Sequence, residues 1–186
     1  MAGNAVLALA SLKALGLVPV GQMQHMAAIL AGTPLPGRME TVSERPGVIV
    51  DGAHTGASAS ALAATIATLG ARRVHLLLSC SSGKDLDAVL SPLLSAAAAV
   101  TVTRADRDWS MPAATLAGHV RAHQRELAVQ LIESPREALN HACANAPEGT
   151  LILATGSVYL AGGVRGCFQR DRSSRADPSE SGRQSI

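Results

Sequence analysis

Val48-Ile49-Val50-Asp51-Gly52-Ala53-His54-Thr55-Gly56 sets a β-branched apolar run directly before a carboxylate, a histidine and paired glycines. A short run of that kind fills a strand buried on both faces. Gly52 and Gly56 permit a tight turn, and the Ala-rich stretch from Ser58 to Leu69 reads as a helix. A strand that turns on glycine straight into a helix is the first half of a parallel crossover.

Downstream the same pattern repeats. Val74 to Leu78 reads as strand, Asp85 to Ser95 as helix, Val100 to Thr103 as strand and Ala113 to Arg125 as helix. Ala128 to Ile132 follows as strand, Pro135 to Ala146 as helix, Leu151 to Ala154 as strand and Ser157 to Val164 as a final helix. The alternation predicts an α/β fold with a Rossmann-like, mostly parallel sheet and helices on both faces.

Upstream, Ala5, Val6, Leu7, Leu9, Ala10, Leu12 and Leu15 leave almost no polar face, with Asn4 as N-cap and Gly16 as stop. A helix apolar all round is expected to be buried on all sides. Lys13, Gly16 and Pro19 interrupt the stretch and no Lys or Arg precedes it, so it reads as neither signal peptide nor membrane span. Gln22 to Leu30 reads as a second short helix, and Gly32-Thr33-Pro34-Leu35-Pro36-Gly37 is the sharpest internal boundary. From Gln169 to Ile186 the chain is rich in Arg, Ser, Asp and Glu without apolar period, which predicts a disordered tail.

Composition removes several functions. The 186 residues suffice for one core, and 16 Lys plus Arg against 14 Asp plus Glu leave a net charge of +2, too small and mixed for a nucleic-acid partner. Aromatics are 2% of the chain, which excludes base-stacking platforms and aromatic cages. The 16% charged fraction is low for a free-standing soluble protein and points to surface that another body covers. Cys80, Cys143 and Cys167 form no C-x-x-C pattern, so a disulfide framework and a zinc knuckle are both out and a reducing, cytoplasmic setting is expected. The cysteines read as small buried hydrophobes.

Ligands of open α/β sheets sit beyond the carboxyl ends of the strands. There, Asp51 and His54 can reach a hydroxyl or a phosphate, beside free N–H groups at a helix start. The same residues also describe an ordinary turn in which Asp51 satisfies backbone donors, and both readings stand. In Ser79-Cys80-Ser81-Ser82-Gly83-Lys84-Asp85, Lys84 either meets a phosphate or carboxylate or is solvated beside a cap. Leu78 and Asp85 exclude a Walker loop there. Thr155 excludes a G-x-S-x-G elbow in Ala154-Thr155-Gly156-Ser157, which leaves Ser157 as a helix cap. Arg38, in Pro36-Gly37-Arg38-Met39-Glu40, is either solvated or phosphate-facing. His119 and His123 are spaced i, i+4, but Val120 replaces the Glu of a zinc helix and both are expected in solvent. His25, His75 and His141 have no evident partner.

Asn4 to Ala10, Leu35-Pro36-Gly37-Arg38-Met39-Glu40, Val50 to Thr55, Gly83-Lys84-Asp85, Val102-Thr103-Arg104 and Ala154-Thr155-Gly156-Ser157-Val158-Tyr159-Leu160 stand in one order. In that order and spacing the chain resembles the C-terminal domain of the Mur ligase superfamily, in its folylpolyglutamate synthase and dihydrofolate synthase branch. The likeness runs from about residue 4 to 166. Thr55 stands where many members carry Asn, and Gly83 where an Asp commonly precedes Lys-Asp.

The resemblance implies an ATP- and Mg²⁺-dependent ligase. ATP phosphorylates a carboxylate of a folate (dihydropteroate or tetrahydrofolate) to an acyl phosphate, and the amino group of L-glutamate displaces phosphate to form the amide. Arg38 and Asp51 would contact ATP, His54 and Lys84 would serve catalysis, and His54 and Ser157 would face glutamate. Residues 1–34 would be a helical remnant of a central ATPase domain, 35–168 the C-terminal α/β domain and 169–186 the tail. Metal and phosphate clamps would belong to an N-terminal P-loop ATPase domain outside this sequence, leaving the chain inactive alone. The alternative is a non-catalytic binding or regulatory module that completes a separate P-loop ATPase chain. Neither reading involves a membrane or nucleic acid.

Overall fold

Alternate residues of the central strands point into different apolar layers, and this double burial organises the protein. In the computed structural model, which describes residues 2–17, 19–106 and 108–176, the chain divides between Leu35 and Pro36 into two compact units. The first unit holds helices α1 (Ala2–Ala14) and α2 (Met23–Gly32), with a short 3₁₀ turn before α2.

The second unit is a six-stranded sheet with its helices. Its elements are β1 (Glu40–Glu44), β2 (Gly47–Val50), α3 (Gly56–Thr68), β3 (Arg73–Leu78), α4 (Leu86–Ser95), β4 (Ala99–Val102), α5 (Ala113–His123), β5 (Ala128–Leu131), α6 (Pro135–Asn145), β6 (Thr150–Thr155) and α7 (Val158–Ala176). The strand order is β1-β2-β6-β3-β4-β5, with β1 antiparallel to β2 and every other pair parallel. The α/β expectation therefore holds.

Ile49, Leu76, Leu78, Val100, Val102 and Leu153 join α3, α4 and α5 in one core. Val48, Val50, Leu77, Ile152 and Ala154 join α6 and α7 in the other. With both faces covered, the central strands β2, β3 and β6 are apolar at nearly every position, which is why they read as continuous apolar runs. Thr55 and Ser58 form a capping box at α3, while the Asp85 and Ser134 side chains accept amides at the starts of α4 and α6.

Three expectations need correction. Strand β1 was not evident, because Val42 is the one residue of Glu-Thr-Val-Ser-Glu that is buried and a register shift falls between Thr41 and Ser43. Helix α7 continues to Ala176, through the first part of the segment read as a disordered tail. The Gln-Arg-Asp-Arg-Ser-Ser-Arg stretch contains no Pro, Gly or β-branched residue, so a helix started by packed Leu160 and Val164 propagates through it. Residues 177–186 of that expectation lie outside the described residues. Helix α1 is not enclosed on all sides: Leu9 is buried, but Val6 and Leu7 are 65% and 67% exposed.

At the end of the sheet opposite the Asp51 turn, His75 is buried and its Nε2 lies 2.8 Å from the Thr101 hydroxyl. Burial, and secondarily the nearby His141, lower its pKa from 6.5. The unfolded chain therefore takes up this proton before the folded chain does, and stability should fall as the pH drops through 6.5. Urea unfolding at stepped pH values should show that acid slope in the wild type and a shallower one in His75→Gln. Equal slopes would show that His75 does not carry it.

Candidate functional site

Three chain segments leave the sheet side by side at the carboxyl ends of β2, β6 and β3. Pairing continues past the strands, with the Asp51 amide donating to the Ala154 carbonyl (3.0 Å) and the Ser79 amide to the Thr155 carbonyl (3.3 Å). Because β6 is threaded between β2 and β3 and leads to α7 on the other face, the strand order reverses here, where open α/β sheets place ligands.

The turn before β1 folds onto this crest. Asp51 is buried, its Oδ2 accepts the Met39 amide (2.9 Å) and its Oδ1 accepts the Ala53 amide (2.8 Å). The Gly52 amide donates to the Gly37 carbonyl at 2.8 Å. A Cβ at Gly52 would lie 2.8 Å from Val158 Cγ1 and 3.3 Å from an Arg38 guanidinium nitrogen, so the close approach requires glycine. Gly37 and Met39 flank Arg38 at φ 65° and 46°, the latter the left-handed region in a non-glycine residue.

Arg38 thereby lines a cleft of about 240 Å³ with Pro36, Gly37, Gly52, Val158 and Arg165. Its guanidinium has no hydrogen-bond or ion-pair partner among the described residues. Each Asp51 oxygen accepts one backbone amide, as in the turn reading of the sequence, and each keeps a further lone pair.

The other expected residues lie around this centre. His54 is half-buried, and its Nδ1 donates to the Gly52 carbonyl at 2.8 Å, which leaves Nε2 as the open ring position. Ser157 is buried and its hydroxyl accepts the Tyr159 amide at 3.2 Å, a capping contact at the start of α7. Lys84 is exposed in the turn after β3 and does not line the cleft. No group of three or more His, Cys, Asp or Glu residues that could hold a metal occurs among the described residues.

Cys80 lies beneath the crest, and burial pushes its thiol up to about 12, so it is no nucleophile near neutral pH. Cys143 and Cys167 are only half-buried, against the expectation of full burial, and burial raises the Cys143 thiol as well.

Residues 37–158 match the family described as Mur ligase, glutamate ligase domain. The chain belongs to that family. It is similar to the dihydrofolate synthase/folylpolyglutamate synthase of Mycobacterium tuberculosis, 34% identical over 189 residues that cover 91% of this chain and 38% of the relative. Among solved structures, Mycobacterium tuberculosis folylpolyglutamate synthase complexed with ADP superposes with TM-score 0.78 at 33% identity, covering 90% of this chain and 40% of that one. Escherichia coli FolC in complex with DHPP and ADP gives TM-score 0.77 at 27% identity, with 91% and 39% covered. The chain thus spans about two fifths of the length of these relatives.

Sequence reasoning missed Arg165 and the pairing partner it finds in Glu40. Glu40 closes the linker motif at Pro36–Glu40, and Arg165 lies just past the end expected of the last helix at Val164. No local pattern signalled the pair, because its two residues lie 125 positions apart.

Gly156 is the tightest point of the crest. At φ +90°, a Cβ there would strike the Ser79 carbonyl oxygen and lie 2.9 Å from Leu78 Cδ1. Gly156→Ala should lose roughly 2–5 kcal/mol, the sum of backbone strain and overpacking. A denaturant midpoint equal to wild type would show that the crest relaxes without loss.

Proposed function

We propose that this chain supplies the glutamate-ligase half of a folylpolyglutamate or dihydrofolate synthase, working with a P-loop ATPase domain. The observation that carries this reading is the Arg38 turn, a strained loop clamped to the end of β2 that offers one unpartnered guanidinium to a cleft. An arginine held this way suits the phosphates of ATP, since a guanidinium donates to phosphate oxygens in bidentate fashion. The sequence motifs and the relatives' names support the substrate assignment, with L-glutamate as amine and a folate carboxylate as acceptor.

In the proposed reaction, a folate carboxylate oxygen attacks the γ-phosphorus of ATP and ADP leaves. The glutamate nitrogen then attacks the acyl carbon, expels inorganic phosphate and loses a proton. Arg38 would counter charge on the nucleotide phosphates as the domain meets the ATPase. Asp51 acts one step back by fixing the Met39 amide. His54, with Nδ1 committed to Gly52, would offer Nε2 as acceptor to the incoming ammonium or to a nucleotide hydroxyl. Lys84 and the α7 start at Ser157 would face the glutamate carboxylates. When bound, Mg²⁺ supplies phosphate charge neutralisation; with no metal-holding cluster among the described residues, its protein ligands are assigned to the ATPase domain.

The test is reconstitution. The purified chain alone should neither hydrolyse ATP nor form folylglutamate. Mixed with, or fused to, the ATPase portion of a relative, it should make ATP-dependent amide product. In that assembly Arg38→Ala should lower kcat/KM for ATP by about 1.5–3 kcal/mol, roughly 10- to 150-fold. Wild-type ATP kinetics in Arg38→Ala would sink the assigned role, while stable association without turnover would favour a regulatory module.

A further inference from the structure

Two arginines line the same cleft in different states. Arg165 Nε donates to both carboxylate oxygens of Glu40, at 2.8 and 2.9 Å, whereas Arg38 has no partner among the described residues. The cleft is therefore not a symmetric anion clamp: Glu40 already answers one of its guanidinium groups.

Glu40 does more than neutralise. Its Oε2 also accepts the Gly37 amide at 2.8 Å, so one carboxylate ties α7 to the residue immediately before Arg38. On the other side of Arg38, Asp51 holds the Met39 amide. Both flanking residues have left-handed backbone, and Met39 keeps that conformation without being glycine. Such a conformation persists only where surrounding contacts over-determine it. An exposed ion pair formed for stability alone contributes little, yet this one is partly shielded, doubly hydrogen-bonded and joined to a strained turn.

We propose that Glu40 and Arg165 are a positioning pair that fixes the direction in which Arg38 presents its guanidinium to a nucleotide phosphate. The inference rests on the nucleotide role of Arg38 proposed above. Neither residue of the pair contacts the nucleotide; they act through Gly37, and they make the aim of Arg38 depend on the seating of α7.

The test uses the full chain, labelled with ¹⁵N, and the variants Glu40→Ala, Arg165→Met, Arg165→Lys and Arg38→Ala. Amide hydrogen exchange reads the turn directly. Glu40→Ala and Arg165→Met should speed exchange at Gly37 and Met39 by about tenfold or more while Leu77 and Leu153 in the sheet keep wild-type rates, and Arg165→Lys should fall between. Unchanged turn exchange, or acceleration spread equally over the sheet, would overturn the inference. MgATP titration of the chain reconstituted with the ATPase portion of a relative, followed at the Arg38 Nε–H and the Gly52 amide, supplies the second readout. Kd should rise about tenfold or more in Glu40→Ala and Arg165→Met, towards the loss seen in Arg38→Ala. Wild-type Kd in both pair variants beside a loss in Arg38→Ala would refute positioning and keep the nucleotide role. A wild-type response at Gly52 in Arg38→Ala would remove the nucleotide role, and the positioning function with it, even where exchange shows the turn to be pinned.

Discussion

The Asp51 carboxylate closes the end of β2 and sets the course of everything around it. One oxygen takes the Ala53 amide, which shapes the turn into α3, and the other takes the Met39 amide, twelve residues earlier in the chain. A buried carboxylate left without donors would be strongly unfavourable, so the group fixes both segments at once. The entry to β1, the start of α3 and the cleft wall at Gly52 follow from that single side chain. Asp51 thus holds in place the turn that carries Arg38.

The insertion of β6 is the second constraint. Placing the last strand between β2 and β3 makes the sheet reverse its order beside the Asp51 turn, and it sends α7 to the face opposite α3 and α4. The space between diverging connections is where a cleft can form without breaking a core. Gly156 permits the crossing, because the chain passes against the Ser79 carbonyl too closely for any side chain. At the linker turn, a Cβ on Gly37 would rest in ordinary contact with Ala161 of α7, 3.7 Å away.

The sheet and its helices were legible because burial on both faces leaves an unmistakable mark, and Val48 to Val50, Val74 to Leu78 and Leu151 to Ala154 carry it. Strand β1 was not legible, since an edge strand with one inward residue is polar nearly throughout. The end of α7 was missed for a related reason: beyond Val164 the helix loses its apolar period, and helix propensity alone does not distinguish a continued helix from a solvated tail. At the site, Arg38 could be singled out by its place in a rigid turn. Its unpartnered state could not, because that depends on Glu40 choosing Arg165, a residue 125 positions away. Long-range pairings between one carboxylate and several candidate cations leave no local pattern. The direction of Asp51 was likewise open, and the sequence offered the backbone and the ligand as equal claimants.

The charge arrangement at the cleft also bears on how such a domain would work in phosphoryl transfer. Transfer of a phosphoryl group is accelerated mainly by positioning and by countering spread negative charge. In the reaction proposed above, the unpartnered Arg38 guanidinium at the cleft, with Lys84 exposed in another turn, would supply part of that charge, and no metal-holding cluster accompanies them among the described residues. A cation that is only part of a clamp contributes most when it arrives together with the rest, since outside the closed site water screens it. Its arrival is then a matter of geometry. A rigid turn loses less orientational freedom on closing than a flexible one would, so the backbone strain held at Met39 is consistent with a cation prepared in advance for a surface that completes the site.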